Sequence, residues 1–269
     1  MLVANLGGNI LFLTDNDPKK WHTKLVVTLE NTTYAFDIRP PEEIKKTRFD
    51  SIILGTMLGY ESVLTQLDSL GVPLHKIEHI HLRVIIEARI NFLKDFAKIC
   101  KERHISGDVA EVGVYQGEFA KQINACFPDA TLFLFDTFEG FDKRDLEFES
   151  KDVRELGQGH LDNTSIALVM SKMLHPDNVV IKKGYFPETI TGLEKRSFCF
   201  VNLDLDLYKP TKDGLDFFYP RMQRGGVILV HDYFGEGLPG VKQAVDEFCK
   251  QHNVFVMPIG DTISVAIKH

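Results

Sequence analysis

From Gly107 onward, short runs that are apolar throughout alternate with amphipathic ones, and few folds accept that pattern. Val109–Val114, Thr131–Asp136, Val179–Ile181, Phe198–Leu203 and Val227–Val230 read as strands. Phe119–Phe127, Thr164–Leu174, Thr211–Met222 and Val241–Lys250 read as the helices between them. A strand apolar at every residue, rather than at every second one, is buried on both faces. The alternation therefore predicts an α/β fold, a parallel sheet with helices on both faces. Val254–Met257 and Thr262–Ile267 follow as the last two strands. The short polar turn Pro258–Asp261 between them predicts an antiparallel pair at one end of the sheet.

The first 75 residues have a different texture. Three strand-like runs, Asn9–Thr14, Lys24–Glu30 and Thr33–Ile38, are separated by turn residues. A buried strand is expected over Phe49–Gly55 and a helix over Glu61–Leu70, stopped by Gly71-Val72-Pro73. Residues 1–75 thus read as a small α/β domain for docking or oligomerisation, and residues 76–269 as the main domain with a leading helix over Lys76–Arg103. Gly7-Gly8 precedes the first strand rather than following it, so no nucleotide site is expected there. His75, His79 and His81 do not share one helical face and are read as surface residues.

Composition removes several functions. Lys and Arg total 31 against 38 Asp and Glu, a net charge of −7 where a duplex binder needs a basic surplus. No nucleic-acid partner is expected. No apolar run reaches the roughly 18–20 residues of a membrane span, and the first residues lack a secretory pattern. Cys100, Cys126, Cys199 and Cys249 form no paired motif and read as reduced thiols in a cytoplasmic protein.

In a doubly wound sheet, ligands bind beyond the carboxyl ends of the strands. The first strand of the main domain runs into Glu111-Val112-Gly113-Val114-Tyr115-Gln116-Gly117, where two glycines bracket a turn that a ligand can approach closely. Glu111, inside the strand, needs a partner: backbone amides of the turn or the amino group of a ligand. Asp136 ends the second strand, where an acid commonly holds ribose hydroxyls; the alternative is a helix cap. A full dinucleotide fingerprint is missing, which disfavours a dehydrogenase. Further along, Asp204, Asp206, His231 and Asp232 arrive at adjacent strand ends. Such carboxylates suit a hard divalent cation; the alternative is helix caps and salt bridges to Lys209 or Arg224. The polar stretch from Asp142 to His160 reads equally as a lid or as a solvated loop.

Five ordered strings resemble the macrocin O-methyltransferase family: Ala110–Gly117, Leu134–Phe141, Lys183–Thr189, Asp204–Tyr208 and Gly225–Tyr233. The resemblance implies a seven-stranded class I methyltransferase sheet, S-adenosylmethionine as methyl donor, a divalent metal (usually magnesium) and a sugar hydroxyl as acceptor. It implies that Glu111, Gly113, Tyr115 and Gly117 line the methionine and ribose side, that Asp136 holds the ribose with Thr137 and Phe138 near it, and that Gly184 and Tyr185 lie near the adenine. Asp204 and Asp232 match metal ligands, and Asp206 is a candidate base or third ligand. Where relatives often carry Asp-Asp, this chain has His231-Asp232, so His231 is a ligand, a base or a support for Asp232. Phe49–Ile77 resembles Rossmann-like pieces of bacterial sugar and polysaccharide biosynthesis proteins, which points to a nucleotide-activated or glycan-bound sugar. The small N-terminal domain and the long helix after it suggest a homo-oligomer. A phenol or catechol methyltransferase, one acting on a macrolide-linked sugar and a non-catalytic glycan-cluster scaffold are the alternatives.

Overall fold

The computed structural model describes residues 9–29, 32–55, 60–156, 161–235 and 237–269. Gly7-Gly8 and the end of the polar stretch, Gly157–His160, lie outside the described residues. The chain divides into two compact units, residues 1–82 and 83–269.

In the first unit, β1 (Leu13–Thr14), β2 (Lys24–Leu29) and β3 (Thr32–Arg39) form a sheet in the order β1-β3-β2. The strand expected over Asn9–Thr14 shrinks to the two residues of β1, and that over Phe49–Gly55 to β4 (Ile52–Ile53). α1 (Tyr60–Ser69) follows, and β5 (Ile77–Glu78) pairs in parallel with β4. The β4-α1-β5 crossover encloses a small core of Ile44, Leu54, Leu67, Val72, Ile77 and Leu82. The leading helix therefore starts later than its periodicity suggests: α2 spans Ile80–Arg103, because Ile77 and Glu78 are drawn into pairing with β4.

The second unit is built on a seven-stranded sheet. Its strands are β6 (Asp108–Val112), β7 (Leu132–Asp136), β8 (Val179–Lys183), β9 (Phe198–Leu203), β10 (Met222–Val230), β11 (Val256–Pro258) and β12 (Val265–Lys268). The order is β11-β12-β10-β9-β6-β7-β8, and only β12 runs antiparallel to its neighbours. The expected antiparallel pair at the end of the sheet is thus found, with β12 inserted between β10 and β11. α3 (Ala120–Cys126), the short α4 (Lys143–Leu146), α5 (Lys151–Leu156) and α6 (Ile166–Met170), then α7 (Tyr208–Phe218) and α8 (Pro239–His252), supply the connections.

Side-chain alternation divides the apolar strand residues between two layers. Val109, Leu132, Leu134, Phe200, Val227 and Leu229 pack on one face with Leu93, Phe96 and Cys100 of α2. Ala110, Val112, Phe133, Phe135, Ile228 and Val230 pack on the other with Leu215 and Phe218 of α7 and Val245 and Phe248 of α8. Full burial of strand and helix residues on both faces is why these runs carry no period-two polarity. β9 departs from strict alternation because its register against β6 shifts between Phe198 and Phe200, which places Phe198 and Val201 in the same layer. At the far end of α7, Met222 leaves the expected helix and opens β10.

The parity has one consequence for chemistry. Glu111 lies on the α2 face with Val109, and it pairs in register with Asn202 of β9. The polar end of that face is therefore covered by α2.

Candidate active site

Backbone hydrogen bonds carry the strands past their ends. Gly113 N donates to Phe135 O at 2.9 Å, Asp204 N to Val112 O at 2.9 Å, and His231 N to Leu203 O at 2.9 Å. The residues after β6, β9 and β10 thus stay in register and meet. Gly113 has φ +84°, and a Cβ there would stand 1.8 Å from the Asp204 carbonyl oxygen. Only glycine lets these two strand ends touch. Asp206 and Asp232 take φ of 63° and 60°, rare for non-glycine residues and common where function fixes the backbone.

Asp136 is the organiser of the first turn. Its Oδ2 accepts the Val114 and Tyr115 amides at 2.7 and 2.8 Å, and its Oδ1 accepts Phe138 N at 2.6 Å. Gly184 N donates to Asp136 O at 3.0 Å, so the end of β8 joins the same corner. Thr137 Oγ1 donates to Gly140 O at 2.6 Å and closes the turn after β7. Tyr115 reaches outward, its hydroxyl donating to Asn163 Oδ1 at 2.8 Å. A Cβ on Gly117 would press on Val169 of α6 at 3.1 Å.

Glu111 is buried, with Oε1 accepting Asn202 Nδ2 at 2.9 Å and Oε2 without a partner. Burial pushes its carboxyl well above the ordinary carboxylate range, against the nearby Arg89. The Arg89 guanidinium covers the Phe119 ring at 4.1 Å and donates through Nη2 to Asn202 Oδ1 and Asp204 Oδ2, each at 2.9 Å. A bonded chain Glu111–Asn202–Arg89–Asp204 thus crosses from one strand end to the next.

Asp204, His231 and Asp232 offer ligand atoms that all lie within 4.8 Å of one another. His231 Nδ1 stands 3.2 Å from Asp204 Oδ1 and 2.6 Å from Asp232 Oδ2. Burial opposes charge on both sides of the pair. The attraction of His231 and Arg89 overcomes it and holds Asp204 well below the usual carboxylate range. Burial likewise disfavours a charged imidazole, yet the charge of Asp204, with hydrogen bonds that the ring donates to both carboxylates, raises His231 to about 10. Burial, then repulsion from Asp204 and Asp232, pushes Asp206 well above its ordinary value. The cluster thus holds more negative charge than its own cations neutralise, and Asp206 relieves it by keeping a proton.

Two contacts bear on alternatives that the sequence leaves open. The cations on the acids are Arg89 and His231, whereas Lys209 pairs with Asp213. Tyr185 engages the polar stretch after β7: its hydroxyl donates to Asp145 Oδ1 at 2.8 Å, and Arg144 covers its ring at 3.6 Å. The described part of that stretch is docked rather than freely solvated. Leu146 and Val153 pack on Leu207, the residue after Asp206. Glu149 Oε1 accepts Tyr208 N at 2.6 Å, capping α7 where Leu207 offers no capping side chain. Glu149→Ala is expected to lower stability by about 1–2 kcal/mol, as loss of a cap does. Glu149→Gln, which keeps the acceptor oxygen, is expected to restore most of it in thermal melts.

Asp145 yields a pH prediction. It is only 7% exposed, and burial pushes its carboxyl up to about 6, with Tyr185 and Lys209 opposing and Asp142 and Asp213 adding. A carboxyl whose folded pKa exceeds its unfolded value favours the fold when protonated. Its contribution is full below about pH 4 and lost as pH rises to about 6. Asp145→Asn keeps the acceptor for Tyr185 and removes the charge. It is expected to stabilise the chain at pH 7 by about 1–2 kcal/mol, allowing for solvent screening, with no gain below about pH 4. Equal melting of variant and wild type at pH 7 would refute this.

Residues 77–266 match the family model of macrocin-O-methyltransferase (TylF). The chain belongs to this family. It is an S-adenosylmethionine-dependent O-methyltransferase. Among curated relatives, mycinamicin III 3''-O-methyltransferase of Micromonospora griseorubida is 27% identical over 179 residues, 62% of this chain and 69% of that protein. The 8-demethyl-8-(2,3-dimethoxy-alpha-L-rhamnosyl)-tetracenomycin-C 4'-O-methyltransferase of Streptomyces olivaceus is 25% identical over 163 residues, 56% of this chain and 60% of that protein. The chain thus spans under two thirds of the second relative's length. Of solved structures, the O-methyltransferase NovP superposes with a TM-score of 0.58 at 23% identity, covering 68% of this chain and 79% of that one. The calicheamicin methyltransferase CalS11 superposes at 0.54 and 15% identity, covering 80% and 87%. These two likenesses bear on the fold, a class I methyltransferase sheet. Among the described residues no helix is long and apolar enough to cross a membrane.

Arg89 and Asn202 are the site residues that sequence reasoning missed. Arg89 had a readable signal. It occupies the stripe of Leu82, Leu93, Phe96 and Cys100 on α2, all buried, and a cation on a buried stripe requires a buried acid.

Proposed function

We propose that this chain transfers a methyl group from S-adenosylmethionine to a hydroxyl of a sugar, nucleotide-activated or glycan-bound, in bacterial polysaccharide biosynthesis. The observation that carries the reading is the contact of Gly113 with Asp204, which joins the glycine turn after β6 to the acid cluster after β9 and β10. Methyl donor and acceptor must meet at such a junction, since most of the rate in a displacement comes from holding the two in line.

The residues on the donor side fit the cofactor. The unpartnered, buried Glu111 Oε2 suits an ammonium group, and the turn beside it takes left-handed backbone at Gly113, Tyr115 and Gly117. Asp136 retains capacity at Oδ1 for a ribose hydroxyl, with Thr137 and Phe138 beside it, and Gly184 and Tyr185 form the wall toward the base. S-adenosylmethionine supplies an electrophilic methyl carbon when bound.

The residues on the acceptor side fit a divalent cation. Two carboxylate oxygens and an imidazole nitrogen converge, and the surplus negative charge that makes Asp206 keep its proton is the charge a cation would relieve. Asp204, Asp232 and His231 would hold it, and it would supply Lewis acidity toward the acceptor oxygens. Asp206, once ionised, takes the proton of the acceptor hydroxyl on a carboxylate oxygen. Arg89 keeps Asp204 oriented, and Leu146 and Val153 shield the neighbouring Leu207 from water.

The test is calorimetric titration with S-adenosylhomocysteine, with magnesium and with EDTA, followed by incubation of S-adenosylmethionine with a panel of nucleotide sugars. Micromolar binding and a mass gain of one methyl on a sugar are expected. Absence of binding in both conditions would overturn the assignment of the donor site, and transfer only to catechols would overturn the acceptor.

A further inference from the structure

β10 ends at Val230, and the chain then makes a tight turn that carries an exposed aromatic ring. Asp232 has φ 60°, and Gly235 N donates back to Asp232 O at 3.0 Å. A Cβ on Gly235 would stand 3.5 Å from Asp232 Oδ1, so the turn folds back beside that carboxylate. Phe234 lies within the turn and is 46% exposed. Single exposed apolar side chains are ordinary on a protein surface. This one differs in how firmly it is held. Phe234 N donates to Ile263 O at 3.1 Å, which ties the turn to the segment before β12 at the carboxyl end of β10. Tyr233 meets the Phe234 ring at 88°, with centroids 4.8 Å apart. Tyr233 is itself buried and fixed: its hydroxyl donates to Asp246 Oδ1 at 2.6 Å and accepts from Lys242 Nζ at 2.9 Å. A solvent-facing ring is thus immobilised two residues from Asp232.

We propose that Phe234 is a specificity-determining residue, the platform on which the acceptor sugar stacks the C–H face of its ring. This rests on the sugar acceptor proposed above. A cyclic sugar directs its hydroxyls outward from its edge and presents C–H bonds on its faces. Those C–H bonds carry partial positive charge, and the face of an aromatic ring carries the negative part of its quadrupole. Phe234 has no hydrogen-bonding group, so it selects for a ring face and against an open-chain polyol with the same hydroxyls. The ring is already fixed, so stacking costs little side-chain entropy. The work of recognition is divided: Phe234 sets the plane of the sugar, and the acids beside the turn meet a hydroxyl at its edge.

The experiment uses the full chain saturated with S-adenosylhomocysteine, with methyl β-D-glucopyranoside and sorbitol as probes. Protein aromatic protons are irradiated, and magnetisation transferred to each probe is read by saturation-transfer difference NMR. Transfer to the C–H protons of the glycoside is expected, with little to sorbitol, and it should be lost in Phe234→Ala. The nucleotide sugar that is methylated in the panel above then gives the kinetic test. Phe234→Ala is expected to raise its KM about tenfold with kcat within about twofold, the pattern of lost stacking. Phe234→Trp should restore KM, whereas Phe234→Leu, which keeps apolar bulk without a ring, should not. S-adenosylhomocysteine affinity shows that each variant is folded. Phe255→Ala is the control and should change nothing: Phe255 is 84% exposed but precedes β11, away from the carboxyl end of β10. An unchanged KM in Phe234→Ala, or rescue by leucine as full as by tryptophan, would overturn the role of Phe234 and leave the sugar acceptor standing. Glycoside binding to the wild type without transfer from aromatic protons would overturn it even if the alanine variant fails to fold. Binding of no glycoside and transfer to no sugar would overturn the acceptor reading itself.

Discussion

Gly113→Ala is expected to abolish S-adenosylhomocysteine binding and to destabilise the second unit severely. The added Cβ would stand 1.8 Å from the Asp204 carbonyl oxygen and 2.8 Å from its carbon. Neither backbone can retreat cheaply. Gly113 N is bonded to Phe135 O and Asp204 N to Val112 O, so relief on one side breaks a strand extension on the other. The left-handed backbone adds about 1–2 kcal/mol, and forced overpacking adds about 1–3 kcal/mol more. Gly192→Ala is the matched control: its φ is +86° and nothing lies within 4 Å of the new Cβ. It carries the conformational cost alone. Thermal melts of the two variants separate backbone strain from collision, and similar melting points would show that the strand ends yield.

Asp204→Ala is expected to reduce methyl transfer by more than about a hundredfold, the upper end for groups that merely support ligands, while leaving S-adenosylhomocysteine affinity within about threefold. Truncation also strands Arg89, whose Nε is already without a partner, in a largely buried position. Removing one member of a buried pair costs about 3–5 kcal/mol, so the alanine variant should melt early. Asp204→Asn separates the effects. Its amide oxygen still accepts from Arg89 Nη2, so stability should be largely retained while transfer is lost. Recovery of transfer in the asparagine variant would show that the charge of Asp204 is dispensable.

The sheet was legible in the sequence because burial on both faces writes itself as continuous apolar runs, and five such runs separated by amphipathic stretches leave little choice of fold. Elements held by partners distant in sequence were harder to read. Ile77 and Glu78 follow the helical pattern of the residues after them, yet pairing with Ile52 and Ile53 makes them a strand. Met222 continues the apolar face of α7, yet its backbone joins Phe198. The acids of the site were visible as residue types at strand ends. Their partners were not, since Arg89 lies more than a hundred residues from Asp204 and reaches it only through the packing of α2 on the sheet. Asp145 and Glu149 lay in a stretch with no periodicity, so a buried carboxyl and a helix cap read there as ordinary surface charge.

Asp136 changes how mutagenesis of this site must be interpreted. Its carboxylate accepts three amides in this structure, two from the turn after β6 and one from its own. The turn is set before any ligand arrives, so a ligand need not supply the ordering entropy itself. An Asp136→Ala variant would remove the preorganisation of the turn together with the ribose contact proposed for this carboxylate. The measured loss would be the sum of a contact and a scaffold, and only a ligand lacking the ribose hydroxyls, titrated into both forms, would divide it.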